Sequence, residues 1–495
     1  MRHLLLTIAV SFVAAGCAST SRISERPLTP PPVTALSISP YPSLKVGLDA
    51  LVPDTLFPPG HIGIKIVSLS RNEGLYELNS RALFTPASNE KLFTSATALA
   101  RLGKDYELAT VVRRDLHDTL RLVVKGYGDP LLSTADLDSI ARQLKEILPT
   151  GCEWTLAGDV SYFDDRYWGV GWNWDWEPDA YGMFITPLSV NSNAIDVKVR
   201  PGKKVGDTTN VQIIPPTRFV SLENVSQTVG DTILTPLEIS RKWRERSNIV
   251  TVTGQILVSD TVKSNSLSVW QPERYTLALL AERLVARGVT VRDIQVDTGR
   301  AAGSAELVRF SHRLDSVVTF MNKVSDNLSA ENLLKVIAAE KNGVPGSASI
   351  GISIVWQFLS ELGIDTTRIS IVDGSGLARQ NLTSPLVVTQ LLEGMYRRPE
   401  LFEPFYASLP VAGVDGTIEK RMIGTRAQGN LHAKTGTLNG VTSLSGYVRT
   451  MDDELLAFSI LMNNFVAGSR PYRQVQDRIG VFLSGLRRES FERAP

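Results

Sequence analysis

The sequence has few of the side chains that bind metals or form disulfides. Its 495 residues include two cysteines and five histidines. Two cysteines cannot build a disulfide framework. The histidines are scattered and form no His-Glu-x-x-His motif, which excludes a zinc peptidase of that kind. We therefore expect neither a metal nor another cofactor.

A strong charge imbalance and long apolar runs are also missing. The formal net charge is +1, and no basic stretch is interleaved with aromatic residues, which argues against a nucleic-acid partner. After the N-terminal segment, no apolar run reaches the length of a transmembrane helix. With 43% hydrophobic and 21% charged residues, the composition is that of a globular protein. The length suffices for about three domains.

The N-terminus resembles an export signal. A short basic start precedes an apolar stretch at 4–15, which is too short to span a membrane. Gly16-Cys17 resembles a bacterial lipobox, in which the cysteine is lipidated, although Ala14 departs from the usual leucine. Val13-Ala14-Ala15 offers ordinary signal peptidase an alternative site. We expect an exported, periplasmic protein, anchored to a membrane through lipid on Cys17 unless the conventional site is used.

Composition and periodicity divide the chain into a discontinuous catalytic domain with a long insertion. A Pro-, Ser- and Thr-rich tether follows the signal, and strand-rich sequence with Gly-Asp turns marks a small β module inside the insertion. The predicted boundaries are 1–17 for the signal, 18–41 for the tether, 42–105 and 305–495 for the catalytic domain, 106–203 and 263–304 for the inserted α/β domain, and 204–262 for the nested β-rich domain.

Three short motifs carry the chemistry. Ser88-Asn89-Glu90-Lys91, Ser325-Asp326-Asn327 and Lys434-Thr435-Gly436 occur in that order, and Ser-x-x-Lys and Lys-Thr-Gly each occur once. They resemble the three elements of serine penicillin-binding proteins and β-lactamases. Taken singly, each motif also fits a structural role: an N-cap with a solvated lysine, a turn between helices, or the start of a strand. The ordered set favours an active site.

The spacing of the first motif explains its chemistry. An apolar helical pattern follows Ser88 and stops at Gly103. Residues three apart share a helix face, so the Lys91 amine can reach the Ser88 hydroxyl, which needs a base to become nucleophilic. For Lys91 to be that base, its pKa must fall from about 10.4 to roughly 7, a cost of about 4–5 kcal/mol. Burial and a second cation can do this, and Lys434 is the candidate cation.

The long separation of the first two motifs indicates which group of penicillin-binding proteins the chain resembles. About two hundred residues lie between them, as in the D-alanyl-D-alanine carboxypeptidase/endopeptidases of the penicillin-binding protein 4 type, which the chain resembles over nearly its whole mature length. The segments 373–379 (Asp-Gly-Ser-Gly-Leu-Ala-Arg) with Asn381, and 409–417 (Leu-Pro-Val-Ala-Gly-Val-Asp-Gly-Thr), resemble two further segments of that family. The resemblance implies an α/β (α+β) penicillin-binding-protein/β-lactamase-like transpeptidase fold, an antiparallel sheet flanked by helices, with a large mixed α/β and β-rich insertion.

The resemblance also implies a reaction. The substrates would be the D-Ala-D-Ala ends or crosslinks of peptidoglycan stem peptides, and β-lactams would be covalent inhibitors. Ser88 would form the acyl-enzyme with Lys91 as base, and Ser325 with Lys434 would return the proton to the leaving amine. Asn327 would hold the acyl amide, and the backbone N–H groups of residues 88 and 437 would bind the oxyanion. The terminal carboxylate would be bound by Thr435, Gly436 and Thr437.

The pocket for the substrate side chain is less well defined. Arg379 resembles a family arginine that borders this pocket, but it fits equally well as a structural arginine that binds loop carbonyls. Relatives often read Trp-Asp-Asp-Glu-Pro where this chain has Trp176 in place of the second aspartate. Asp175 or Glu177 is then the candidate contact for a substrate amine. The aromatic cluster nearby fits a sugar or peptide platform, or a packed domain interface: Tyr167, Trp168, Trp172, Trp174 and Trp176.

Other functions fit the sequence less well. A β-lactamase needs a group that activates water, and no Glu-x-x-x-Asn segment follows Ser325-Asp326-Asn327 at a suitable distance. A Gly-x-Ser-x-Gly esterase is disfavoured because Asp373 stands where the first glycine is required before Ser375. A non-catalytic wall-binding scaffold remains an alternative, although every nominal catalytic side chain is present. The sequence leaves the oligomeric state open.

Overall fold

A computed structural model of the chain describes residues 37–53, 61–297, 304–466 and 468–492. Cys17, the predicted signal and most of the predicted tether lie outside the described residues. Within these ranges, none of the helices has the length and apolar character needed to cross a membrane.

The helices lie mainly in the two outer parts of the chain. Those in the described ranges are α1 (Pro42–Asp49), α2 (Lys91–Leu102), α3 (Thr134–Ile147), α4 (Pro272–Ala286), α5 (Leu314–Val324), α6 (Asn327–Asn342), α7 (Ala348–Glu361), α8 (Pro385–Tyr396), α9 (Pro399–Ser408), α10 (Arg470–Ser484) and α11 (Glu489–Glu492).

The strands lie mainly in the middle of the chain and near its C-terminal end. Those in the described ranges are β1 (Ile62–Ser68), β2 (Glu73–Leu78), β3 (Glu107–Asp115), β4 (Arg121–Gly126), β5 (Glu153–Asp159), β6 (Ala194–Arg200), β7 (Asn210–Ile214), β8 (Ser221–Asn224), β9 (Gln227–Val229), β10 (Glu238–Arg241), β11 (Ile249–Thr253), β12 (Gln255–Leu257), β13 (Lys263–Ser268), β14 (Thr290–Asp297), β15 (Ser304–Arg313), β16 (His432–Leu438), β17 (Val441–Arg449) and β18 (Leu455–Asn463).

One antiparallel sheet joins the first and last parts of the described chain. Its order is β16-β17-β18-β1-β2, and every neighbouring pair is antiparallel. Strands β1 and β18 are buried along their whole length, as expected for central strands covered on both faces. One face packs against a core that includes α1 and α10. The other packs against a core that includes α2 and helices α5 to α9. The predicted fold, an antiparallel sheet flanked by helices, is confirmed.

The insertion has its own sheets and its own core. A mixed sheet has the order β14-β5-β4-β3-β15, in which β5 is parallel to both neighbours. Smaller sheets are β13-β6-β7, β10-β11-β8 and β12-β9. Strand β7 pairs with β6, and β6 with β13. One sheet therefore joins β7, inside the predicted nested domain at 204–262, to β6 and β13, which lie outside it. The domain boundaries themselves stay a prediction.

Candidate active site

Ser88 lies in a short turn directly before helix α2. Residues Ala87–Glu90 form a 3₁₀ turn, and the α-helix begins at Lys91. The sequence predicted a helical first turn here; the tighter 3₁₀ geometry nearly eclipses residues three apart. The Lys91 Nζ therefore lies 2.9 Å from the Ser88 Oγ. The helix ends at Gly103, whose φ of 83° suits glycine, as the sequence predicted.

Both serine-bearing turns hold a non-glycine residue in the left-handed region. Ala87 has φ 48° and Ser325 has φ 66°. Such conformations cost roughly 1–3 kcal/mol each and cluster at functional sites. The turn at Ser325 separates α5 from α6, and Asp326 caps α6 by accepting the Ser329 N–H at 2.7 Å. Local strain at Ala87 and Ser325 thus accompanies the placement of the two active-site hydroxyls.

Lys91 is fully buried and contacts three acceptors. Its Nζ lies 2.9 Å from the Ser88 Oγ, 2.6 Å from the Asn327 Oδ1 and 2.7 Å from the Ser375 carbonyl oxygen. An ammonium group donates three hydrogen bonds, so the charged form is satisfied here. In the neutral form the amide oxygen and the carbonyl can only accept, and they take the two N–H groups. The lone pair is then left for the Ser88 hydroxyl.

Lys434, on edge strand β16, approaches the same cleft from the other side. Its Nζ donates to the Ser325 Oγ at 2.8 Å and to the Thr435 carbonyl at 3.0 Å. The Asn89 amide donates to the Lys434 carbonyl at 2.9 Å, which ties the turn of Ser88 to the strand. Two serine–lysine pairs from distant parts of the chain therefore meet.

Burial shifts the pKa of both lysines downward. It lowers the pKa of Lys91 to about 8, although the charges of Asp373, Asp326 and Glu331 act in the opposite direction. The pKa of Lys434 is held well below its usual range by burial and by the charge of Lys91. The predicted direction for Lys91 is confirmed. The two ammonium groups repel each other, which lowers the pKa of Lys434; the effect of Lys434 on Lys91 stays a prediction.

The third motif lies against the turn that carries Ser88. A Cβ added to Gly436 would lie 3.0 Å from the Ser88 backbone nitrogen, so only glycine allows this approach. The Thr435 hydroxyl lies 2.7 Å from that of Thr417. Thr437 is exposed. The predicted carboxylate-binding residues thus lie on edge strand β16 beside the nucleophile.

The predicted side-chain pocket residues differ in their contacts. The Arg379 guanidinium donates to the Asn439 carbonyl, a contact that agrees with the structural interpretation of this arginine. Glu177 forms an ion pair with Arg241 at 2.9 Å, which occupies its carboxylate. Asp175 is exposed on a 3₁₀ turn. Of the two acidic candidates, Asp175 is the one left to meet a substrate amine, and this role stays a prediction.

The aromatic cluster divides into packed and exposed members. Trp168 and Trp172 contact each other at a centroid distance of 5.3 Å, and the Trp172 Nε1 donates to the buried Asp373 carboxylate at 2.9 Å. Trp174 is 66% exposed and lies 5.2 Å from Trp243. A packed domain interface fits Trp168 and Trp172, whereas a platform for sugar or peptide remains open for Trp174.

Sequence reasoning missed two main-chain groups in the site. The Ser375 carbonyl holds Lys91, and the Tyr181 carbonyl accepts from the Asn327 Nδ2 at 2.9 Å. The segment 373–379 was recognised by resemblance without a role. A main-chain acceptor leaves no residue-type signal, because any residue carries a carbonyl. The Glu331 carboxylate accepts the Gly374 and Ser375 N–H groups of this segment.

Comparisons with known proteins agree with this geometry. Residues 44–486 match the D-Ala-D-Ala carboxypeptidase 3 (S13) family. A D-alanyl-D-alanine carboxypeptidase of Actinomadura sp. (strain R39) is 33% identical over 482 residues, which cover 92% of this chain and 88% of the relative. A penicillin-sensitive carboxypeptidase A of Dictyostelium discoideum is 27% identical over 442 residues, covering 83% and 84%.

A solved structure shows the same fold. The crystal structure of penicillin-binding protein 4 from Haemophilus influenzae superposes with a TM-score of 0.77 at 23% identity, covering 89% of this chain and 99% of that one. The resemblance read from the three motifs is therefore confirmed over most of the length. The chain belongs to the D-Ala-D-Ala carboxypeptidase 3 (S13) family.

Proposed function

We propose that this chain is a penicillin-binding serine D-Ala-D-Ala carboxypeptidase and endopeptidase of peptidoglycan that works through an acyl-enzyme on Ser88. One observation carries the assignment of residues. Lys91 has two contacts that can only accept hydrogen bonds, so its neutral amine directs a lone pair at the Ser88 hydroxyl 2.9 Å away. A positioned base of this kind is what a serine nucleophile needs.

Acylation uses the first serine–lysine pair. The Ser88 oxygen attacks the carbonyl carbon of the penultimate D-alanine while Lys91 takes the hydroxyl proton. The carbonyl π electrons move to oxygen, and the N–H groups of Ser88 and Thr437 stabilise the resulting oxyanion. Losing one such donor typically costs about 3–4 kcal/mol.

Collapse of this intermediate uses the second pair. The C–N bond breaks, its electrons go to the leaving amine, and Ser325, hydrogen bonded to Lys434 at 2.8 Å, delivers a proton to that nitrogen. Lys434, charged while Lys91 is neutral, supplies the proton that restores the Ser325 hydroxyl, and the proton gained by Lys91 favours this transfer because its charge lowers the pKa of Lys434. Water then attacks the ester carbonyl and gives up a proton through Ser325 to the neutral Lys434 amine. The ester C–O bond breaks, Lys91 returns its proton to the Ser88 oxygen, and the shortened peptide is released. Asn327 holds the acyl amide, and the terminal carboxylate contacts Thr435, Gly436 and Thr437.

The decisive test is release of D-alanine from a stem pentapeptide. The wild type should release it, and Ser88→Ala should reduce release to background. Ser139→Ala is a matched control, because Ser139 bonds the Ala135 carbonyl of its own helix in the insertion and should leave activity intact. Equal release by the wild type and Ser88→Ala would exclude the mechanism. Mass analysis of products from crosslinked muropeptides measures the endopeptidase activity.

A fluorescent penicillin separates the peptidase from a β-lactamase on the same fold. A long-lived adduct of one label per chain, located on the peptide that contains Ser88, supports the peptidase. Rapid turnover without a persistent adduct would favour the lactamase.

We also propose that the chain is exported to the periplasm and anchored by lipid on Cys17. The support is the sequence pattern at 4–17 and membership of a family that acts on the cell wall. Mass spectrometry of the mature N-terminus should find diacylglycerol on Cys17, and Cys17→Ser should release the protein from membranes. A mature chain that begins at Gly16, with no lipid, would instead support conventional cleavage.

A further inference from the structure

Three buried acidic side chains lie close enough to Lys91 to favour its charged form. Glu90, Glu331 and Asp373 are each at most 2% exposed. Asp373 accepts hydrogen bonds from its own loop, including the Gly376 N–H at 2.8 Å. Within the described ranges, no three His, Cys, Asp or Glu side chains are arranged to hold a metal. The mechanism above uses none of these carboxyl groups, so their burial needs another explanation.

Glu331 binds the loop that in turn binds Lys91. Its Oε1 accepts the Gly374 N–H at 3.1 Å and the Ser375 N–H at 2.9 Å. Thr94, on the helix of Lys91, donates to the Gly374 carbonyl at 2.8 Å. With its two N–H groups held from one side, the loop presents the Ser375 carbonyl to the Lys91 Nζ at 2.7 Å.

We propose that Glu331 is a positioning residue for acylation: it fixes the loop whose Ser375 carbonyl aims the Lys91 amine at Ser88. This inference rests on the proposed acyl-enzyme mechanism. Without a held acceptor at Ser375, a neutral Lys91 can turn one N–H toward Ser88 and its lone pair away. The hydroxyl would then lose its base although every residue of the three motifs is in place. Glu331 is therefore required for the orientation of the Lys91 amine toward Ser88.

The charge of Glu331 adds a second effect. Lys91 is faced by Glu90 and Glu331, by Asp373 of the loop and Asp326 of the turn, all of which favour its charged form, and Lys434 approaches from β16. Burial raises the pKa of Glu331 to about 7, and the charge of Asp373 contributes. Near neutral pH an ionised Glu331 holds the proton on Lys91. Removing that charge lowers the pKa of Lys91, so its neutral form appears at lower pH.

Two substitutions separate the effect of the Glu331 hydrogen-bond acceptor from the effect of its negative charge. Glu331→Gln keeps an Oε1 that can accept both N–H groups but removes the charge, whereas Glu331→Leu removes both. The matched control is Glu340→Gln, at an exposed position on the same helix, where the carboxylate binds the Tyr162 hydroxyl. The readout is the second-order rate constant for acylation by a fluorescent penicillin, measured from pH 5 to about 10, the range that spans both groups.

The proposal predicts a distinct result for each variant. Glu331→Leu should acylate about 10²-fold more slowly, the scale of a small misplacement of a catalytic group. Glu331→Gln should be clearly faster than Glu331→Leu, and the acid limb of its rate profile should move to lower pH. Glu340→Gln should follow the wild type. Circular dichroism and thermal unfolding report whether Glu331→Leu is folded.

Either of two outcomes would overturn the proposal. One is a glutamine variant that keeps the acceptor but acylates about 10²-fold more slowly than the wild type. The other is a folded leucine variant that acylates at the wild-type rate. The rate of Glu331→Gln is informative even if Glu331→Leu fails to fold, since it tests the retained acceptor in a side chain of the same size. An acid limb of Glu331→Gln that coincides with that of the wild type would refute the second effect, that of the charge. Acylation of Ser88→Ala would instead refute the proposed function, whatever the Glu331 variants do.

Discussion

Gly436 is the point at which strand β16 comes closest to the turn that carries the nucleophile. A Cβ at this position would lie 2.6 Å from the Pro86 carbonyl oxygen and 3.0 Å from the Ser88 backbone nitrogen. Ser443, on the neighbouring strand, holds the same carbonyl with a hydrogen bond of 2.7 Å. Gly436→Ala therefore places a methyl group against main chain on the far side, which cannot move aside as a flexible side chain could.

The size of the effect follows from the gap that must open. An ordinary contact begins at 3.4 Å, so relief of the 2.6 Å contact requires the strand and the turn to separate by about 0.8 Å. That separation moves Ser88 away from Lys434 and from the N–H of Thr437. A misplacement of about 1 Å can cost about 10²-fold in rate, which corresponds to about 2.7 kcal/mol on the barrier.

The assay is acylation by a fluorescent penicillin, followed with time. Gly436→Ala should acylate about 10²-fold more slowly than the wild type. Gly468→Ala is the matched control, because nothing lies within 4 Å of a Cβ added there, and it should acylate normally. Thermal unfolding shows whether each variant is folded. A folded Gly436→Ala that acylates at the wild-type rate would refute the close approach of strand and nucleophile.

Three further predictions concern the same structure. The second-order rate constant for acylation should rise with pH through about 8, because burial lowers the pKa of Lys91 to about 8 and the base must lose its proton; a flat profile from pH 6 to 9 would contradict this. Arg488→Met should lower the free energy of unfolding in urea by about 3 kcal/mol, because it removes the charge partner of the buried Glu454 carboxylate and leaves only the Ser68 hydroxyl bound to it. Burial acts to raise the pKa of Glu454, but its bonds to Arg488 and Ser68 outweigh this and lower it, so the loss should shrink as the pH falls and Glu454 is protonated. Trp172→Phe keeps an aromatic ring but removes the 2.9 Å bond to Asp373, and it should cost about 1.5–3 kcal/mol in the same measurement.

Local pattern predicted the helix next to the nucleophile well. The apolar pattern after Ser88 and the stop at Gly103 correspond to α2, for which Gly103 is the C-cap. The reason is that the 3.6-residue apolar period and a glycine stop act within one element. The proximity of Lys91 to Ser88 was predictable for the same reason, since three residues along a helical turn fix the distance.

Contacts between distant segments were not predictable in this way. The loop at Ser375 reaches Lys91 from 284 residues away along the chain, and Tyr181 reaches Asn327 from 146. Such contacts depend on how layers pack, and main-chain acceptors carry no signature in the residue type. The left-handed φ of Ala87 was likewise hidden, since alanine rarely adopts it without help from surrounding structure.

The pairing of β1 with β18 means that the sheet is incomplete until nearly the whole polypeptide has been made. A nascent chain that ends before residue 432 has its serine at position 88 but no β16 and no Lys434 beside it. The nucleophile turn then lacks the strand that packs against it at Gly436, so hydrolytic activity should appear only when the C-terminal strands dock. For an enzyme that acts on peptidoglycan, this topology means that activity depends on completion of the chain.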